Sequence, residues 1–227
     1  MEAASEESVR STLEEIAEFG SFFAPHLGGD PAGWHDVSAD YARGFTDLVE
    51  ATAARYDTAE LRIGASIAQL SHAARLWSPV VGAVLTRGVI PDLTRLDRAD
   101  DDSRLRLPTL AGWHAGTEGQ VAALLYDMVV RRHLEPFARG LRVKVAPGLL
   151  YGNAASAVAE AGRAVATARP ELAPRAARLV NLLLATGGLA GKGSLTSPEL
   201  AFRRTTCCLY YRVPDGDKCG DCALLDK

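Results

Sequence analysis

The chain has 227 residues, 48% of them apolar and 23% charged, enough for one domain with a substantial core or two modest ones. Its formal net charge is −3, from 25 Lys and Arg against 28 Asp and Glu, which gives it no electrostatic reason to seek nucleic acid or an anionic membrane. All four cysteines fall between positions 207 and 222, too localised for a secreted disulfide scaffold, which would spread its bridges over a small fold.

The start, Met1-Glu-Ala-Ala-Ser-Glu-Glu-Ser8, is acidic and lacks the basic and apolar stretches of a secretory signal. No apolar run reaches the roughly 18 residues needed to span a bilayer. The expectation is a cytoplasmic protein with no transmembrane segment, whose thiols stay reduced. Val9, Leu13, Ile16 and Ala17 form one apolar stripe on a first helix that ends at Gly20. The Gly- and Pro-broken stretch from Gly28 to Trp34 reads as a loop, and a second helix is predicted over Ser38 to Tyr56. Thr58 is placed to cap a long buried helix through Ile63, Ile67, Leu70 and Leu76, with Ser78-Pro79 starting another that stops at Gly88.

The mixed charges between Asp97 and Arg104 predict a solvated loop, leading into a short strand at Leu105-Arg-Leu107. Thr117 and Gln120 make a capping-box pattern ahead of Val121, Leu124, Leu125, Met128 and Val129, and Pro136 restarts or kinks the segment that follows. Tyr151-Gly-Asn opens an Ala-rich helix to about Ala168, and Pro170 and Pro174 begin an apolar one ending at Gly187-Gly188. Gly187 to Pro198 reads as a linker, and Leu209-Tyr-Tyr-Arg-Val213 as a strand entering a Pro-Asp-Gly turn. The predicted fold is mainly α: a helical domain over residues 1–200 carrying a small cysteine-rich strand-and-turn appendix over residues 201–227.

The cysteine spacing is Cys207-Cys208-x10-Cys219-x2-Cys222. A C-x2-C pair lets two thiolates converge on one metal while backbone N–H groups turn toward the sulfurs, a geometry shared by zinc and iron–sulfur sites. Adjacent side chains of an extended strand point to opposite faces, so Cys207 and Cys208 share a centre only where the backbone turns. Four thiolates satisfy one zinc ion and equally a [2Fe–2S] cluster; the presence of one knuckle and one Cys-Cys, rather than the two knuckles of a zinc ribbon, tilts the reading toward iron–sulfur.

The string from Arg203 through Cys207-Cys208-Leu-Tyr-Tyr-Arg-Val-Pro-Asp-Gly-Asp-Lys-Cys219-Gly-Asp-Cys222 to Leu224 resembles the C-terminal [2Fe–2S] signature of the FhuF-like ferric-siderophore reductases. Leu150-Tyr-Gly-Asn-Ala-Ala-Ser156 is similar to the Trp-Gly-Asn segment of that family, with Tyr151 in place of Trp, and Ala74-Arg-Leu-Trp-Ser-Pro79 is similar to it as well. The turn between the cysteine pairs is Asp215-Gly216-Asp217, where the family is expected to be richer in glycine. The resemblance implies that Cys207, Cys208, Cys219 and Cys222 hold a [2Fe–2S] cluster. It also implies that the protein reduces Fe(III) bound by a siderophore, of hydroxamate type for instance, and so releases Fe(II) in the cytosol.

Arg203, Arg204, Tyr211 and Arg212 are the candidates for a docking face; the alternative for the arginines is solvation of the surface or compensation of cluster charge. No Rossmann fingerprint is present, and Gly187 to Ser194 fails the P-loop pattern because Thr186 and Gly193 stand where Gly and Ser or Thr are required. Electrons therefore have to come from a separate donor such as a ferredoxin or flavin reductase. The five histidines show no metal-binding spacing; His72 reads as a core or interface residue, and Trp113-His114 as a loop aromatic plugging the core or edging a cleft. Two other functions stay open: a structural four-cysteine zinc knob for partner binding, and an iron or redox sensor.

Overall fold

The computed structural model of the chain describes residues 1–225. Helix α1 (Glu6–Ile16) is capped by Ser5, whose hydroxyl accepts from the Ser8 N–H, and it buries Val9, Leu13 and Ile16, three members of the predicted stripe. Two short strands follow, β1 (His26–Leu27) and β2 (Trp34–Asp36), on either side of the predicted loop. The single helix expected over 38–56 is two, α2 (Val37–Arg43) and α3 (Thr46–Arg55). Gly44, at φ +82°, ends the first in the left-handed region, and Phe45 follows it at φ +50°. That break drives the Phe45 ring into the core, where it stacks on Phe137 at 4.6 Å between centroids.

Helix α4 (Leu61–Arg87) runs unbroken for 27 residues, with Glu60 rather than Thr58 at its N-cap. The Thr58 hydroxyl instead accepts from the Glu60 N–H. Pro79 lies inside this helix and does not start a new one. The ring costs a backbone hydrogen bond, but Leu76 through Leu85 are all buried, so tertiary packing holds the helix through the defect. The middle of the chain then supplies β3 (Val89–Pro91), β4 (Asp97–Ala99), β5 (Leu105–Leu107) and β6 (Gly112–His114). Of the segment expected to be a solvated loop, 97–99 is thus a strand, while β5 is the strand predicted. Strands β1, β5, β4 and β2 form one small sheet in that order, and β3 pairs antiparallel with β6. Trp113 is half-buried on β6 and His114 is exposed.

The capping box at Thr117 and Gln120 forms as predicted and starts α5 (Glu118–Leu125). The helix passes directly into a π-helical stretch over Tyr126–Leu134, which the periodicity did not announce, and then into α6 (Glu135–Gly140) with Pro136 in its first turn. Helix α7 (Pro147–Ala168) begins four residues before Tyr151, and α8 (Ala173–Leu184) follows a 3-10 turn at Pro170–Leu172. Helices α4 and α7 pack along each other at the centre, flanked by α3 and α8. Both are apolar nearly all round, as a central helix has to be.

The segment expected to be a linker is tied down. Its strand β7 (Gly193–Leu195) pairs antiparallel with β8 (Phe202–Arg204), Gly193 opposite Arg204, so the hairpin crosses the expected boundary at 200/201. The strand predicted at 209–213 is a 3-10 turn at Tyr210–Arg212. The fold is mainly α, and no described helix is long and apolar enough to cross a membrane.

Replacing Thr117 by Ala removes one half of the capping box and is expected to cost about 1 kcal/mol. For a chain of this size the thermal unfolding midpoint, followed by circular dichroism, should fall by about 2–4 °C.

Candidate functional site

The four cysteines lie in two turns of the C-terminal tail. After Cys208 the backbone enters the left-handed region at Leu209 (φ +71°), and the chain coils back as the 3-10 turn. This bend is why 209–213 is not a strand: it points the next two amides at the preceding sulfurs. The Leu209 N–H donates to Cys207 Sγ at 3.3 Å, and the Tyr210 N–H donates to Cys208. The second turn repeats the arrangement. The Cys222 N–H closes onto the Cys219 carbonyl at 2.9 Å, the Asp221 N–H donates to Cys219, and the Leu224 N–H donates to Cys222 Sγ at 3.4 Å. Each cysteine sulfur thus receives the amide two residues ahead, the contact by which iron–sulfur and zinc sites stabilise thiolate charge.

Cys208 and Cys222 are buried, whereas Cys207 and Cys219 are half-buried. The Cys219 thiol donates to Cys208, which lowers the Cys208 pKa to about 6 and raises that of Cys219. Burial raises Cys207, with the neighbouring Cys208 and Cys222 sulfurs adding to the effect. Among the described residues, no group of three or more His, Cys, Asp or Glu side chains is arranged to hold a single metal ion. The donor set nonetheless fits an iron–sulfur group: four sulfurs in adjacent turns, each already hydrogen-bonded as a thiolate would be.

Arg204 adds an independent observation. Its side chain is 2% exposed, yet among the described residues it pairs with no carboxylate. Its one side-chain hydrogen bond runs from Nη2 to Asn153 Oδ1 at 2.7 Å, and Nε has no partner. A buried guanidinium without a counter-charge costs several kcal/mol. Its charge acts on the cysteines: it favours the thiolate forms of Cys207, Cys208 and Cys219. The pattern is that of a cation buried against a negative centre.

Tyr151-Gly-Asn is the seat on which the tail rests. Gly152 leaves room for Thr206, whose Oγ1 would collide with a Cβ at that position. Asn153 is fully buried and spans both helices of the central pair: Nδ2 donates to the Ser66 carbonyl at 2.9 Å, while Oδ1 receives Arg204. Ser66 in turn donates its hydroxyl to the Cys208 carbonyl at 2.7 Å. Ser156, one turn further along α7, donates to the Asp221 carboxylate, and the Arg204 N–H donates to the Asp221 carbonyl at 3.0 Å. Both cysteine turns are therefore fastened to α4 and α7.

Beside this seat is an open cleft of about 700 Å³, a size suited to a small-molecule ligand. Its walls come from α3, α4, the loop at Asp101–Ser103, the start of the 156–160 turn of α7, and the tail, where Cys208 and Cys219 form part of the lining. Arg55, Tyr56, Arg75 and Tyr210 line it too; Tyr56 and Tyr210 meet edge to face at 5.7 Å, and Arg75 lies over the Phe22 ring at 5.0 Å. Of the four residues expected on a docking face, Arg204 alone lines the cleft, and it does so as a buried group. Arg203 donates to the Cys222 carbonyl at 2.8 Å, Arg212 pairs with Glu60 at 2.7 Å, and Tyr211 is exposed at 43%. Arg75 was within reach of the sequence, since it lies in the family-like segment Ala74–Pro79. Arg55, Tyr56 and Tyr210 carried no signal, because only the approach of α3 to the tail brings them together.

Residues 204–224, which contain all four cysteines, match the family model described as the FhuF 2Fe-2S C-terminal domain. This supports an FhuF-like family over that short segment. No curated protein and no solved structure matches the chain.

Gly152→Ala should unseat the FhuF-like tail without unfolding the helices. Limited trypsin digestion is expected to cut faster after Arg203 and Arg204, while Gly148→Ala, whose added Cβ meets nothing within 4 Å, should digest at the parent rate.

Proposed function

We propose that the protein is a ferric-siderophore reductase. Cys207, Cys208, Cys219 and Cys222 would hold a [2Fe–2S] group, which when bound supplies a single electron to the Fe(III) of a chelate. The observation that carries this reading is the buried Arg204, paired with no carboxylate among the described residues, beside four amide-bonded sulfurs of which those of Cys208 and Cys219 belong to residues lining a substrate-sized cleft. Arg204 acts as the fixed counter-charge for the anionic centre, and Asn153 holds its guanidinium in place. The family match to residues 204–224 supports the redox role.

The substrate is a ferric siderophore of hydroxamate type, bound in the cleft by Arg55, Arg75, Tyr56 and Tyr210 with Arg204 behind them. The arginines suit the anionic oxygens of the chelate and the aromatic edges its apolar arms, while Asp101, Asp102 and Glu160 in the same lining suit its N–H or cationic groups. Once Fe(III) becomes Fe(II), hard anionic oxygens hold it far less strongly, and it leaves without any covalent step. In this reading residues 1–200 supply most of the chelate-binding wall, and residues 201–227 carry the redox group and close the wall with Arg204 and Tyr210. An external donor, a ferredoxin or flavin reductase, supplies the electron, and the iron is released in the cytoplasm. The sulfur–amide contacts also suit a four-thiolate zinc knob, which gives no electron transfer.

Protein purified and reduced without oxygen, then mixed with a ferric hydroxamate and a coloured Fe(II) trap, should release about one equivalent of Fe(II) per chain. Cys219→Ser should release none while keeping its far-ultraviolet helical signal. A parent protein that releases no Fe(II) would leave the zinc knob or the sensor as the better account.

A further inference from the structure

A second buried polar chain reaches the same cleft through His72. His133, on the π-helical stretch, places Nε2 at 2.6 Å from the Leu93 carbonyl and Nδ1 at 2.7 Å from the Tyr41 hydroxyl. The same hydroxyl lies 2.9 Å from Nε2 of His72, which helix α4 places in the cleft wall. Both histidines are buried, at 4% and 3% exposure for His72 and His133, among Phe45, Phe137 and Tyr41. Burial depresses the His133 pKa to about 4 and that of His72 well below the ordinary value, so both rings are neutral at physiological pH.

Neutrality fixes every proton in the chain. A carbonyl only accepts, so His133 Nε2 carries the hydrogen and Nδ1 is bare. The Tyr41 hydroxyl has one hydrogen, and it goes to that bare Nδ1. Tyr41 oxygen must then accept from His72, whose Nε2 carries the hydrogen. Nδ1 of His72 is left unprotonated, and among the described residues nothing donates to it. The Leu93 carbonyl, acting through His133 and Tyr41, thereby sets the tautomer of a histidine in the cleft wall.

We infer that His72 Nδ1 is a hydrogen-bond acceptor built into the chelate cleft, and that it takes an amide N–H from the arms of the bound chelator, with Tyr41 and His133 as positioning residues. The inference rests on the ferric-chelate reading and adds to it a preference for chelators with secondary-amide arms. In a fully coordinated ferric hydroxamate the oxygens around the metal are acceptors, so the donors the chelate offers lie in the secondary amides that join its arms. A chelate filling the cleft displaces water from His72. One without such an N–H leaves a buried acceptor unpaired, which selects against it.

The test uses gallium(III) complexes, which match Fe(III) in charge but cannot be reduced, so binding is read apart from electron transfer. The probes are the gallium complex of a linear trihydroxamate joined by secondary amides and that of its N-methylated amide analogue, titrated calorimetrically into the full chain. The parent should bind the secondary-amide form about fivefold to tenfold more tightly. That preference should vanish in His72→Phe and shrink in Tyr41→Phe. Nitrogen-15 shifts of the parent's His72 ring should show Nε2 protonated and Nδ1 bare, with the assignment relaxed in Tyr41→Phe. Equal binding of the two complexes by the parent, a preference that survives in His72→Phe, or a protonated Nδ1 overturns the inference and leaves the reductase reading standing. Failure of the parent to bind either complex overturns both.

Discussion

Taking a guanidinium out of water is costly without a compensating charge, and among the described residues no carboxylate pairs with Arg204. Much of the tail's architecture follows from that constraint. Asn153 holds the guanidinium and, through Ser66, ties it to the backbone of Cys208. The sulfurs of Cys207, Cys208 and Cys219 all feel its charge. The two cysteine turns are joined to each other by the Arg204 N–H on the Asp221 carbonyl and by Arg203 on that of Cys222. A redox centre that gains negative charge on reduction benefits from a counter-charge that does not move, because nothing then has to reorganise when the electron arrives.

The same network explains why the helical body and the tail act as a unit. The β7–β8 hairpin carries the chain from the helices into the tail with Gly193 opposite Arg204, so the arginine that meets the sulfurs is positioned by strand pairing as well as by Asn153. Helix α4 serves both sides of the cleft: Ser66 fastens Cys208, and His72, six residues on, is part of the wall. Pro79 lies in the fully packed part of that helix, and the carbonyl left without its helical donor is that of Arg75, one of the cleft-lining residues.

What could be read in the sequence was local. The capping box at Thr117, the apolar stripe of α1 and the cysteine spacing each express a constraint between residues a few positions apart, and the first two are met in the structure. Tyr151-Gly-Asn could be noticed as a family-like string, but its purpose, close approach of Thr206 at Gly152 and bridging at Asn153, depends on a segment some fifty residues away. The misreadings share that cause. Gly44 and Phe45 divide a helix because Phe45 is needed beside Phe137, α4 passes through Pro79 because its neighbours enclose it, and 209–213 coils because its amides turn to the cysteine sulfurs. Arg203, Tyr211 and Arg212 stood out by their proximity in sequence to the cysteines, whereas Arg55 and Arg75, on α3 and α4, join Arg204 in lining the cleft.

The central claim is that the tail's four sulfurs and Arg204 are built around a two-iron, two-sulfide centre. Iron, zinc and acid-labile sulfide content of the full chain purified without oxygen tests it most directly. The account predicts about two iron and two sulfide per chain and no stoichiometric zinc. One zinc per chain with no labile sulfide would contradict it.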